Sequence, residues 1–203
     1  MNTSLHSTGR LLWAALRALL VLTVVTGVVY PLLITAFAQA AFHDKANGSK
    51  IKAGGRVVGS ELIGQSFHLK GTDRPDPRFF QPRPSNGDYD PLATGSSQLG
   101  ASSPKLVKKV EAAKKEVAAF NDVPESRVPK DAVTGSASGI DPHISRAYAH
   151  LQAARVARAN GLGEGQVRKL VARHTGGRTA GYMGEPHVNV LTLNVAVREL
   201  AAK

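Results

Sequence analysis

The chain has 203 residues, 42% of them hydrophobic, 5% aromatic and none of them cysteine. Without cysteine there are no disulfides, thiolate metal sites or cysteine nucleophiles, and the length suits one domain with its own core rather than two. The formal net charge of +11 points to an anionic partner, whether nucleic acid, lipid surface or acidic protein, without choosing among them.

Residues 18–42 run for 25 positions without a formal charge. A helix of about 20 residues spans the roughly 30 Å hydrocarbon layer of a bilayer. Residues 11–42 are therefore predicted to form a transmembrane helix after a short N-terminal segment, residues 1–10. Ala38-Gln39-Ala40 has the small-x-small form of a signal cleavage site, but signal h-regions of about 7–15 residues are much shorter than this one, so a retained anchor is expected. Tyr30 and Pro31 fall inside the span. Proline kinks a helix, and a neighbouring helix can satisfy the carbonyl it frees, which makes Tyr30 and Pro31 candidates for packing against a membrane partner. The plainer alternative is a proline tolerated without a role. Basic residues flank both ends, Arg10 and Arg17 on one side and Lys45, Lys50, Lys52 and Arg56 on the other, so charge leaves the orientation open.

Residues 43–203 read as one soluble domain, with 24 basic against 15 acidic residues and a net charge of +9. Residues 45–55, polar and glycine-rich, look like a juxtamembrane linker, and residues 56–65 like a short hairpin or a strand and turn. In Phe79-Phe80-Gln81-Pro82-Arg83-Pro84-Ser85 the X-Pro pairs enforce an extended backbone. A helix follows, with Ser102 or Ser103 as its cap, Pro104 in its first position, and an apolar stripe of Leu106, Val110, Ala113, Val117 and Phe120. Lys108, Lys109, Lys114 and Lys115 lie off that stripe, on a solvated face. Asp141 and Pro142 are predicted to open the next helix as N-cap and first residue, with Ile144, Tyr148, Leu151 and Ala154 on its apolar face and Gly161 at its end. A third helix carries Val167, Leu170, Val171 and His174. Residues 188–193 alternate and are β-branched, a strand by pattern, with a last short helix from near Asn194. The mixed order predicts an α+β fold.

Few fragments suggest chemistry. Ser102-Ser103-Pro104-Lys105 has the serine-x-x-lysine spacing of an acyl-enzyme nucleophile, but the companion Ser-Asp-Asn and Lys-Thr-Gly triplets are missing, and a capped helix start explains it better. Gly161-Leu162-Gly163-Glu164-Gly165 lacks the dinucleotide spacing, and there is no Walker A loop. His143 and His150, seven apart, would stand two helical turns from one another, too far to share an ion. Asn86, Asp88 and Asp90 alternate like the start of a calcium loop, without its glycine and closing glutamate, and read as a turn. No metal-ligand set and no catalytic set emerges. Nucleic acid is disfavoured by the few aromatics and the anchor. Ser136-Ala137-Ser138-Gly139, next to the predicted helix start, has backbone N–H groups able to take an anion, with structural capping as the plainer reading. Ser136, Ser138, Gly139, Asp141 and His143 are the candidate sensitive segment.

Several strings resemble one family. Gly59-Ser60-Glu61-Leu62-Ile63-Gly64-Gln65-Ser66-Phe67 is similar to a segment of the C subunits of bacterial Kdp potassium-transporting ATPases. So are Phe80-Gln81-Pro82-Arg83-Pro84-Ser85, Gly95-Ser96-Ser97-Gln98-Leu99-Gly100, Val133-Thr134, and Ser136-Ala137-Ser138-Gly139-Ile140-Asp141-Pro142-His143-Ile144-Ser145. Gln152, Arg155-Val156-Ala157-Arg158 and Gly184-Glu185-Pro186-His187-Val188-Asn189-Val190-Leu191-Thr192-Leu193-Asn194 complete the series, in the family's order and covering nearly the whole chain. The family often has two glycines then Ser-Asn where this chain has Gly95-Ser96-Ser97-Gln98, and often has proline where Ala101 and Arg146 stand. The resemblance implies a non-catalytic accessory subunit of an ATP-driven, high-affinity potassium uptake pump. Its partners would be a potassium-binding pore subunit and an ATP-hydrolysing P-type subunit, with the lipid bilayer around its span. It further implies a single-pass protein of the cytoplasmic (inner) membrane, N-terminus inside and soluble domain outside. The family has also been given a catalytic-chaperone role, raising the ATP affinity of the catalytic subunit, so that ATP would enter only through that subunit. An outer location conflicts with cytoplasmic ATP, and the missing phosphate loop favours the structural role. The alternatives are a solitary membrane-anchored envelope-binding module and an anchored hydrolase using Ser102 and Lys105.

Overall fold

Pro31 has no N–H to return to the carbonyl four residues back, and the helix around it changes pitch. A computed structural model describes residues 5–202 and divides them between two compact units that meet at Ser49 and Lys50. In the first, α1 (Leu5–Val24) passes into a π-helical turn, Val25–Val29, and then into α2 (Tyr30–Ala41). The Tyr30 N–H donates to the carbonyl of Val25, five residues back, the widened register by which a helix absorbs a defect in its ladder. The expected proline kink thus takes the form of a π turn. The hydroxyls of Thr26 and Thr35 donate to Leu22 O (2.7 Å) and Pro31 O (2.8 Å), so these two polar side chains are satisfied inside the span. Among the described residues, Ser7–Ala41 is the one stretch long and apolar enough to cross a membrane. Leu19, Leu20, Leu32, Leu33 and Phe37 are all exposed along it, as a lipid-facing helix requires. A single turn, α3 (His43–Ala46), follows, and Asn47 folds back to pair its amide with Gln39 at 3.0 Å.

The second unit opens on an antiparallel hairpin of β1 (Lys50–Ala53) and β2 (Arg56–Ser60). Gly54 and Gly55 form its two-residue turn with φ of +55° and +77°, the primed turn whose twist matches the strands. Part of the expected linker is therefore a strand: Lys50-Ile51-Lys52-Ala53 alternates exposed and half-buried positions. Helix α4 (Pro104–Asn121) begins as predicted, with Ser103 extended in the cap position and Pro104 first, although the Ser103 hydroxyl makes no capping bond. It ends at Asp122, φ +55°, where Val123 N–H donates to Ala118 O at 3.1 Å.

The next helix does not open at Asp141 and Pro142. Residues His143–Ser145 form a strand, β3, and helix α5 covers Arg146–Ala159, capped by the Ser145 hydroxyl accepting from Tyr148 N–H at 3.0 Å. The cause is tertiary. Pro142 O accepts from Val190 N–H at 3.0 Å, and β3 pairs antiparallel with β5 (His187–Asn189), so the backbone is held in a sheet until Ser145. Gly161 closes α5 as predicted: Leu162 N–H reaches Ala157 O at 2.9 Å, a Schellman closure. Helix α6 (Glu164–Arg173) and the two-residue β4 (Thr175–Gly176) follow. The strand expected over residues 188–193 ends at Asn189, whose side-chain oxygen accepts from Thr192 N–H at 3.1 Å and starts α7 (Val190–Ala201). The last helix therefore begins four residues before Asn194. Val190, Leu193, Asn194 and Val197 are its buried face, at helical spacing. The sheet order is β3-β5-β4, all antiparallel. Ile144, Tyr148, Val156, Val167, Val171, Val188, Leu193 and Val197 fill the core between this sheet and α5, α6 and α7, with Phe80 inserted from the extended segment. The whole is α+β with one apolar N-terminal helix.

Candidate functional site

Residues 61–103 contain no regular helix or strand beyond isolated bridges, and their order comes from side chains. Phe80 is fully buried, so its backbone polar groups need partners. Asn194 on α7 supplies both: its oxygen accepts from Phe80 N–H (2.8 Å) and its amide donates to Phe80 O (2.9 Å). Gln152 on α5 does the same for Gln81, at 2.7 and 3.0 Å. Two side-chain amides on two helices thus stand in for the neighbouring strands that this extended segment lacks. The Gln81 amide donates onward to Phe67 O and Asp76 O.

Arg155, one turn beyond Gln152, is 6% exposed and forms no ion pair with a carboxylate among the described residues. Its guanidinium donates to Asn121 Oδ1 (2.9 Å), Pro77 O (2.6 Å), Phe79 O (3.0 Å) and Gln152 Oε1 (2.7 Å), and lies 4.3 Å from the centre of the Phe120 ring. Burial draws its pKa down to about 10, which leaves it a cation at neutral pH. This one side chain ties α4, α5 and the extended segment together.

The predicted sensitive segment belongs to the same frame. The Ser136 hydroxyl accepts from Gly139 N–H (2.8 Å) and the Ser138 hydroxyl from Ile140 N–H (3.2 Å). The N–H groups of Gly139 and Ile140 are therefore already engaged, and with α5 starting at Arg146 no helix N-terminus stands behind the segment. Gly139, at φ +74°, lies so close to Gly95 O that a Cβ would sit 2.9 Å from it; its own carbonyl accepts from the Ser85 hydroxyl at 2.7 Å. Asp141 accepts from His143 N–H (2.9 Å) and from the Arg83 guanidinium (3.0 Å). Burial pushes the Asp141 pKa up, but the bonds from His143 and the charge of Arg83 outweigh it and hold it below its ordinary value. His143 stands on β3, not on a helix shared with His150. Its ring meets the edge of His187 on β5, centres 4.4 Å apart, a contact that sequence spacing gave no means of finding. Gly64 N–H donates to Ile140 O, and the Asn189 amide to Glu61 O.

Ser102 and Lys105 are exposed at the start of α4, and no hydrogen bond joins them. In the turn of Asn86, Asp88 and Asp90, Asn86 takes the Lys109 ammonium at 2.7 Å and Asp90 accepts from Leu92 N–H at 2.8 Å. Among the described residues no three histidine, aspartate or glutamate side chains gather in a way that would hold a metal ion. Tyr30 and Pro31 sit on the exposed surface of the span, at the π turn.

The strings singled out in the sequence, far apart along the chain, are thus bonded to one another. A family model described as KdpC, the c chain of K+-transporting ATPase, matches residues 12–199. The chain belongs to this family. It is 51% identical over 220 residues to the potassium-transporting ATPase KdpC subunit of Streptomyces coelicolor, covering 100% of this chain and 98% of that one. The similarly described subunit of Streptomyces avermitilis is 50% identical over 220 residues, covering 100% and 99%. That of Mycobacterium tuberculosis is 46% identical over 198 residues, covering 94% and 99%. The family's signature in this chain is a set of mutual contacts, with Gln152, Arg155 and Asn194 as its braces.

Proposed function

We propose that this chain is a non-catalytic, architectural subunit of an ATP-driven potassium uptake complex, assembled with a potassium-binding pore subunit and an ATP-hydrolysing subunit. The observation that carries this reading is that the family's strings are spent on one another in a braced frame, with no nucleophile, base or phosphate cradle assembled among the described residues. Residues 11–42 cross the cytoplasmic membrane, residues 1–10 lie inside and residues 43–203 outside. In the bilayer the π turn at Tyr30 and Pro31 sets the face that meets a partner span, since a non-ideal turn persists in lipid when neighbouring helices accommodate it. Any effect of the chain on ATP affinity is exerted through the ATP-hydrolysing subunit; the engaged N–H groups of Gly139 and Ile140 support that indirect role.

A tagged chain purified in mild detergent from potassium-starved cells tests the assignment. Co-purification of a P-type ATPase with potassium-stimulated hydrolysis is the expected result. A lone monomer without that activity would overturn it in favour of an envelope-binding module.

A further inference from the structure

A cavity of about 510 Å³ lies between α4 and the proline-rich segment of the second unit. Ala112, Ala113 and Val117 of α4 form one wall and Pro82 and Pro84 the other, with Phe120 and Tyr148 deeper. Its size is that of a site for a small ligand or a few residues of a peptide.

Two independent observations give the occupant's chemistry. The first is Tyr148, which is 3% exposed and whose hydroxyl makes no hydrogen bond to any described residue. Buried tyrosine hydroxyls normally find a partner. Among the described residues, the side-chain polar atom both sealed from solvent and unpartnered is His150 Nδ1. The Tyr148 oxygen is therefore not sealed, and the cavity that its side chain lines is the space it opens onto. The second observation is charge. Asp73, Asp88 and Glu116 line the same cavity, and the ion pairs of the described residues engage other carboxylates: Asp76, Asp141, Glu164 and Glu185. Of the cavity's two cations Arg83 is paired with Asp141, and Lys109, which donates to the neutral Asn86, is outnumbered by the three carboxylates. In a domain of net charge +9 this is a local reversal of sign. Moreover, Pro82 and Pro84 have no N–H, so that wall offers a ligand acceptors rather than donors at those positions.

We propose that this cavity receives an arginine or lysine side chain, with its neighbouring residues, from an extended segment of a partner subunit. The apolar walls take the aliphatic stem, a carboxylate at the cavity's edge, Glu116 foremost, takes the charge, and the Tyr148 hydroxyl accepts one of its hydrogens. Naming the source as a partner subunit rests on the pump-subunit reading; the chemistry of the cavity does not.

The test has two arms. In the first, the full chain in detergent is titrated with acetyl-Leu-Arg-Leu-amide and with its citrulline counterpart, followed by ligand-observed NMR. Saturable binding of the arginine peptide is expected, with the uncharged citrulline peptide about ten-fold weaker and Glu116→Gln and Tyr148→Phe each weakening the arginine peptide about three- to five-fold. Absence of binding, equal binding of the two peptides, or indifference to both substitutions overturns the site. In the second arm, Glu116→Lys is introduced into the tagged chain and co-purification of the pump subunits is compared with the unaltered chain. Several-fold lower recovery is expected. Undiminished recovery, with the peptide result positive, overturns the partner as the source. If the unaltered chain itself recovers no pump subunit, the assignment of the chain fails, while the peptide arm still decides the cavity.

Discussion

Gln152, Asn194 and Arg155 hold a segment that cannot hold itself. Replacing Gln152 by leucine preserves bulk but leaves the N–H and C=O of Gln81 and one arm of Arg155 without partners. Each unsatisfied buried group costs about 1–3 kcal/mol, so Gln152→Leu is expected to destabilise the fold by about 3–5 kcal/mol, read as a lowered midpoint in thermal unfolding of the full chain. Asn194→Leu is expected to cost about 2–4 kcal/mol by the same reasoning. Because both variants release the same segment, their effects combined should fall short of the sum; full additivity would show that the two clasps act independently. Gly64 is a second sensitive point. A Cβ there would stand 2.7 Å from Asp141 O and 2.7 Å from the Tyr89 ring. One neighbour is backbone and cannot swing aside, so Gly64→Ala should lower stability by about 1–3 kcal/mol. An unchanged melting temperature would mean that the backbone at Gly64 relaxes freely.

Among the elements, the π turn of the span has the most direct consequence. Pro31→Leu restores an N–H and lets Val25–Val29 return to α-helical pitch. Such annealing turns the residues before it relative to those after it by about one residue's worth, roughly 100°, so the two halves of the span no longer present the same face. The expected outcome is several-fold weaker recovery of partner subunits from detergent with the soluble unit still folded. An intact complex with unchanged turnover would remove any role for Pro31 in assembly. The elements also show where local pattern is overruled. Val188 to Leu193 is β-branched and alternating, yet it bends into a helix after Asn189 because that side chain caps the turn and because Val190, Leu193 and Val197 then face one core. Asp141-Pro142 has the form of a helix start, yet pairing with β5 keeps the chain extended for three more residues.

For the whole molecule, pH acts through groups that the fold displaces from their ordinary values. The Arg78 guanidinium bonded to Asp76, acting against burial, holds that carboxyl below its ordinary pKa, and Asp141 is held low as well. Both carboxylates therefore stabilise the fold above the ordinary carboxylate range, and this contribution is lost as pH falls through their lower folded values. His150 is lowered from 6.5 by burial, with Arg168 and Arg146 adding to the effect. Its unfolded form takes up a proton first, so stability also declines as pH drops below about 6.5. Thermal unfolding between pH 8 and pH 3 should show a shallow loss from the histidine and a steeper one from the carboxylates. His150→Gln should flatten the first limb alone; persistence of that limb would assign it to another group.

The sequence by itself determined the long apolar N-terminal helix, the α+β class, a helix opening at Pro104 and another carrying Val167, Leu170 and Val171, and family membership. These rest on local quantities: an unbroken apolar run, helical spacing of apolar residues, capping residues, and strings in a fixed order. Tertiary structure alone decided where α5 and α7 begin, that residues 50–53 pair as a strand, and that Gln152 and Asn194 clasp Phe80 and Gln81 across separations of 71 and 114 residues. The same is true of the His143–His187 contact and the cavity beneath α4. Each depends on partners distant in the chain, and a hydrogen bond or a burial cost is settled by what folding brings alongside a residue rather than by its neighbours in sequence.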